Sequence, residues 1–164
     1  MAAGPGGSDA ELREELTQLV TALWYDIDHH QGTAASTYFT DDGELRFENA
    51  TFRGPAEIND VYIQRASKGP RVSRHVVTNL HVTAADEAGT RATSTLILYA
   101  QDGTAPRPDT TPALVADVHD VFERQEERWL IRSRHIVQLF IAPSTVLAVP
   151  TGAHPRPTPN RESR

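Results

Sequence analysis

Cysteine is absent from this 164-residue chain, which removes disulfide frameworks, thiolate metal sites and thiol nucleophiles together. Lysine is almost absent: of the sixteen Lys and Arg residues only Lys68 is a lysine, a bias that says nothing about mechanism. Basic charge is also in deficit. A net charge of -6 argues against nonspecific nucleic-acid binding, which needs a concentrated cationic surface to displace counterions. No apolar run is long enough to span a bilayer, and the opening "MAAGPGGSDAELREEL" lacks the basic segment and apolar stretch of a secretory signal. The expectation is a cytoplasmic protein bound neither to membrane nor to nucleic acid. Recognisable cofactor motifs are missing too. There is no glycine-rich phosphate cradle after a strand, no G-x-S-x-G, no H-x-H and no HExxH. The stretch "DVHD" offers Asp117, His119 and Asp120, but a strand sends Asp120 to the face opposite the other two. No metal and no cofactor are expected, so any catalysis should be acid–base chemistry by side chains alone.

What is present fits one domain: 38% apolar residues in this length support a single core. Residues 1–7 and the tail 150–164 are rich in Gly and Pro and are expected to be disordered, leaving a folded unit of 8–149. Ser8 with Glu11 reads as a capping box. Leu12, Leu16, Leu19, Val20, Leu23, Trp24 and Ile27 then recur at helical spacing to about His29. A short helical segment, "TAASTYF", follows Gly32, and Asp41-Asp42-Gly43 reads as a turn into a strand. "FENATFRG" suggests a hairpin around Asn49. Gly54-Pro55 opens a second helix whose apolar face carries Ile58, Val61 and Tyr62. Beyond residue 71 the period changes to two, with strands near 72–83, 91–101, 114–125 and 128–141. Helices, a hairpin, a helix and an antiparallel meander describe an α+β domain with helices against one face of a curved, mostly antiparallel sheet.

Within the first of these strands, "SRHVVTNLHV" puts Ser73, His75, Asn79 and His81 on one parity. Polar groups on one strand face either meet water or line a cavity. His135 shares parity with Trp129, Ile131, Val137, Leu139 and Ile141, so an otherwise apolar face carries one imidazole. His119 shares parity with Val115, Asp117 and Val121, and the two histidines could look into one cavity.

The succession "ALWYDIDHHQ", "YFTDDGELRF", "FRGPAEI", "SRHVVTNLHV" and "DVHDVFERQEERWLIRSRHIV" resembles the SnoaL-like branch of the nuclear-transport-factor-2-like superfamily over most of residues 9–141. The resemblance implies a cone-shaped α+β barrel around an apolar pocket, commonly assembled as a homodimer through the outer sheet face. Relatives include scytalone dehydratase, ketosteroid isomerases, polyketide cyclases, small subunits of ring-hydroxylating dioxygenases and non-catalytic binders, so fold alone does not choose a reaction. By likeness to scytalone dehydratase, His75 would be the general acid or base and an aspartate near the end of the first helix its partner. Alignment favours Asp28, while Asp26 lies within the apolar arc of the helix; both are kept. The dehydratase pattern has a second pocket histidine on the next strand, where this chain reads "RATSTLILYA"; His135 is the better substitute and His119 the lesser. Tyr25, Trp24, Tyr62, Asn79 and His119 are the candidate substrate contacts.

The expected function is a cofactor-free dehydratase, isomerase or cyclase acting on a hydrophobic, carbonyl-bearing small molecule, plausibly of polyketide or other natural-product type. The alternative is a non-catalytic binding or accessory protein, including a role like the dioxygenase small subunit. Apolar residues on both parities of the strands predict a sheet covered on both sides, hence a homodimer.

Overall fold

The structure is a computed structural model that describes residues 9–143 and 145. Ser8 and both Gly/Pro-rich ends therefore lie outside the described residues. Helix α1 spans Asp9–His30, and its apolar stripe is why it stays docked: Leu16, Val20, Leu23 and Trp24 are buried. Burial of each such side chain contributes roughly 1.5–3 kcal/mol. A 3-10 turn over Ala35–Tyr38 leads into β1 (Phe39–Phe47), β2 (Ala50–Arg53) and α2 (Gly54–Ala66). Four long strands follow: β3 (Arg71–Asp86), β4 (Gly89–Asp102), β5 (Leu114–Gln125) and β6 (Arg128–Ile141). They form one six-stranded sheet in the order β2-β1-β6-β5-β4-β3. All pairings are antiparallel except β1 with β6. The sheet does not close. Helix α1 packs on β3 and β6, and α2 on β1 and the 3-10 turn, so both helices lie on one face and the core sits between them and the sheet.

Two irregularities decide which side chains face that core. In β3 the register slips between Thr78 and His81, with Asn79 at φ 56°; Asn tolerates this left-handed conformation better than most residues. Before this bulge the half-buried, inward positions are Arg71, Ser73, His75 and Val77; after it they are Leu80, Val82 and Ala84. One extra residue reverses the parity. In β6, Val121 pairs with Ser133 but Phe122 with Ile131, so Arg132 is extra and Ile131, Arg134 and Ile136 all point inward and are buried.

Asp41-Asp42-Gly43, read as a turn, lies inside β1, where the pairing with β6 is interrupted between Phe39 and Glu44. Backbone proximity explains the glycine. A Cβ on Gly43 would stand 2.9 Å from the Phe39 Cβ and 3.2 Å from the Ile131 carbonyl oxygen.

Candidate functional site

Helix α1 ends against β3, an edge strand whose outer backbone groups have no neighbouring strand. The Asp28 carboxylate fills that gap. Its Oδ2 accepts the backbone N–H of His75 at 2.8 Å, while its Oδ1 accepts the Ser73 hydroxyl at 2.7 Å and lies 2.7 Å from the His75 Nδ1. Burial by itself would raise the Asp28 pKa, but the ring hydrogen bond and charge of His75, with the bonds from Ser73 and the His75 backbone, outweigh it and hold the carboxyl below its ordinary 3.8. An ionised carboxylate only accepts hydrogen bonds. Nδ1 of His75 therefore carries the proton of this contact, and in the neutral ring Nε2 is left as the basic nitrogen.

Trp24 lies flat on this imidazole, with ring centroids 4.3 Å apart and planes 9° from parallel. On the same indole sits the Arg134 guanidinium, its central carbon 5.0 Å from the ring centroid. Arg134 is buried and makes a two-pronged bond with Asp120, 2.8 Å for each prong, the geometry that suits a desolvated Arg–carboxylate pair.

Trp24, Asp28, Ser73 and His75 border a cavity of about 150 Å³ between the helices and the sheet. Ile27, Val61, Leu96, Leu98, Leu114 and Ile136 supply apolar wall, and Asp28, Ser73, His75, Tyr62, Gln138, Arg65 and Arg71 supply polar groups. The Trp24 Nε1 and Gln138 Oε1 are buried and make no hydrogen bond within the protein. Burial, and to a lesser degree the charge of Asp26, push the Tyr62 hydroxyl up to about 12, with Arg134 pulling the other way. Tyr62 thus remains a hydrogen-bond donor at neutral pH. Its ring rests on Gly32, where a Cβ would come within 2.7 Å of it and where φ is +70°; only glycine accepts both demands without strain.

The structure brings together His75, Asp28, Trp24 and Tyr62 among the residues expected from sequence. It does not bring in the others. Asp26 is buried two residues before Asp28, roughly 200° around the helix, where its Oδ2 accepts the Ala34 backbone N–H at 3.0 Å and fastens the turn after α1. Tyr25 is exposed and packs on His29. Asn79 is the exposed bulge residue. His135 and His119 stand opposite each other across β5 and β6, rings 6.4 Å apart, on the face away from the cavity. The extra residue at Arg132 put His135 there, against the parity expectation. Burial, Arg46 and His119 lower its pKa. Sequence reasoning missed Arg134, Arg65, Arg71 and Gln138. Arg71 alone left a signal, by sharing the parity of Ser73 and His75.

Among the described residues no group of three or more His, Asp or Glu side chains is placed to hold a metal, and no helix is long and apolar enough to cross a membrane.

Comparison with known proteins agrees with this architecture. The sequence model of the SnoaL-like domain family matches residues 8–135. ActVI-ORFA from Streptomyces coelicolor superposes with a TM-score of 0.66 at 24% identity, covering 77% of this chain and 97% of that one. A Catenulispora acidiphila protein solved in complex with S-DNPA gives 0.68 at 21% identity, covering 79% and 95%. The beta subunit of a putative aromatic-ring-hydroxylating dioxygenase from Novosphingobium aromaticivorans gives 0.70 at 13% identity, covering 83% and 94%. No curated protein matches the chain in sequence.

Proposed function

Since the chain belongs to the SnoaL-like domain family, we propose that it is a cofactor-free acid–base enzyme, a dehydratase, isomerase or cyclase, acting on a hydrophobic carbonyl compound of polyketide, aromatic or steroid type. The observation that carries this reading is the Asp28–His75 pair, 2.7 Å between Oδ1 and Nδ1, at the wall of a mainly apolar cavity. His75 is the base. Its Nε2 takes a proton from the carbon next to a carbonyl, and the C–H electron pair becomes the carbon–carbon double bond of an enolate as the carbonyl π pair moves to oxygen. The Tyr62 hydroxyl and the Trp24 Nε1–H are the donors available to that oxygen. The imidazolium then returns the proton, either to another carbon, completing an isomerisation, or to a β-hydroxyl that leaves as water. Asp28 keeps the imidazole in the required tautomer and balances its charge.

An accessory role like that of the dioxygenase beta subunit leaves the Asp28–His75 pair without a use, so the acid–base reading is preferred. Deuterium wash-in tests it. 1-Tetralone incubated with the protein in D₂O should gain deuterium next to its carbonyl above the buffer rate, and His75→Gln should return the rate to that of buffer. Equal rates for the wild type and His75→Gln would refute the reading.

The second part of the proposal is a homodimer. Val76 and Tyr99 are exposed on the sheet face away from the helices, and Val76, Ile97 and Val115 lie side by side across β3, β4 and β5. A second copy would bury this face by two-fold symmetry.

A further inference from the structure

One hydrogen-bonding group of the cavity has no part in the acid–base step: the side-chain amide of Gln138. The register slip at Arg132 turns Arg134, Ile136 and Gln138 toward the helices, so the amide lines the cavity from β6. Its Oε1 is buried and makes no hydrogen bond within the protein. An amide oxygen only accepts, and a buried acceptor left alone costs more than a made hydrogen bond returns. The side chains around it have no donor to offer. Ala116 stands opposite on β5, Leu96 comes next in that row on β4, and Ile136 is the inward residue before it on β6.

Resting on the acid–base reading of the same cavity, we propose that the substrate carries a hydroxyl group at the end of its apolar body remote from the reacting carbonyl, and that Gln138 is the residue that selects it. Sheet geometry sets the spacing. The row Gln138, Ala116, Leu96 and Val77 crosses β6, β5, β4 and β3, and His75 is the inward residue next to Val77 on β3. The backbones that carry the acceptor and the base are therefore roughly 14 Å apart along the sheet, at about 4.8 Å per strand, and the reach of the two side chains shortens the gap. Leu96, Leu98 and Leu114 line the space between. A molecule that fills it meets the base and the carbonyl donors at one end, leucines along its body and a single amide oxygen at the other. A hydroxyl answers that oxygen because it donates while staying neutral, whereas an ammonium would bring a charge into an apolar wall at high cost. A substrate without the hydroxyl strands the acceptor, which is how a hydrogen-bonding site rejects the analogue that lacks the group.

The test needs no turnover. Binding of 6-hydroxy-1-tetralone, 6-methoxy-1-tetralone and 1-tetralone to the full-length protein is measured by isothermal titration calorimetry, at a pH that keeps the phenol protonated. The wild type should bind the hydroxy compound roughly three- to tenfold more tightly than either of the others, the range a neutral hydrogen bond implies. Gln138→Met, close in length but without the amide oxygen, should bring the hydroxy compound down to the level of 1-tetralone. The same variant should bind 1-tetralone at least as tightly as the wild type does, which also reports that it is folded. His75→Gln should keep the hydroxyl preference, so a failure of the acid–base reading leaves this result distinguishable. Equal binding of the hydroxy compound and 1-tetralone by the wild type, a hydroxyl preference that survives Gln138→Met, a methoxy compound that binds as tightly as the hydroxy one, a loss of 1-tetralone binding in Gln138→Met, or no binding of any probe would each overturn the proposal.

Discussion

Asp28 grips His75 at two points, accepting its backbone N–H on one carboxylate oxygen and lying 2.7 Å from its ring Nδ1 on the other. The backbone bond places the strand, the ring bond orients the imidazole, and both come from one side chain at the end of a helix. Strand position and ring orientation are therefore set together.

Asp28 makes stability depend on pH with a definite sign. Its folded-state pKa lies below the ordinary 3.8, so its contribution is complete above that value and is lost as pH falls through the folded pKa. The melting-temperature gap between the wild type and Asp28→Asn should shrink as pH falls below about 4. A gap that widens below that pH would contradict the pairing.

Arg134 and Asp120 are buried with both prongs at 2.8 Å. Removing one partner strands the other charge, so Arg134→Met should cost about 3–5 kcal/mol in urea denaturation, and adding Asp120→Leu should recover much of it. Arg134→Met within about 1 kcal/mol of the wild type would mean the pair is not desolvated.

If the outer sheet face pairs two copies, sedimentation equilibrium at micromolar concentration should give a dimer mass, and Val76→Arg with Tyr99→Arg should give a monomer that keeps its fold by circular dichroism. A wild-type monomer at those concentrations would remove the dimer.

Much of the fold was legible because its signals are local. The α1 stripe from Leu12 to Ile27, Gly54-Pro55 at the start of α2 and the period-two runs after residue 71 fall in the elements observed. The site was legible only in part. His75 showed as an imidazole on an alternating strand, and the family likeness rather than spacing singled out Asp28. The two bulges were invisible in the sequence. Reading β3 and β6 as uninterrupted strands placed Asn79 and His135 on the cavity face, and only the register slips beside Asn79 and at Arg132 reverse this. The same reversal hid Arg134, which uninterrupted alternation would put on the face opposite His135. Asp102 and Arg65 come together from elements far apart in the chain, a meeting no periodicity reports.

The central claim is that Asp28 and His75 act as one acid–base unit, and a double-mutant comparison of the deuterium wash-in rate tests it most directly. Asp28→Asn can donate to Nδ1 and so favour the wrong ring tautomer; it should slow wash-in by roughly a hundred- to ten-thousandfold. His75→Gln should lose all of the enzymatic rate, and the double variant should be no slower than His75→Gln alone, since members of one unit are not additive. An Asp28→Asn variant that is folded and exchanges at the wild-type rate would contradict the account.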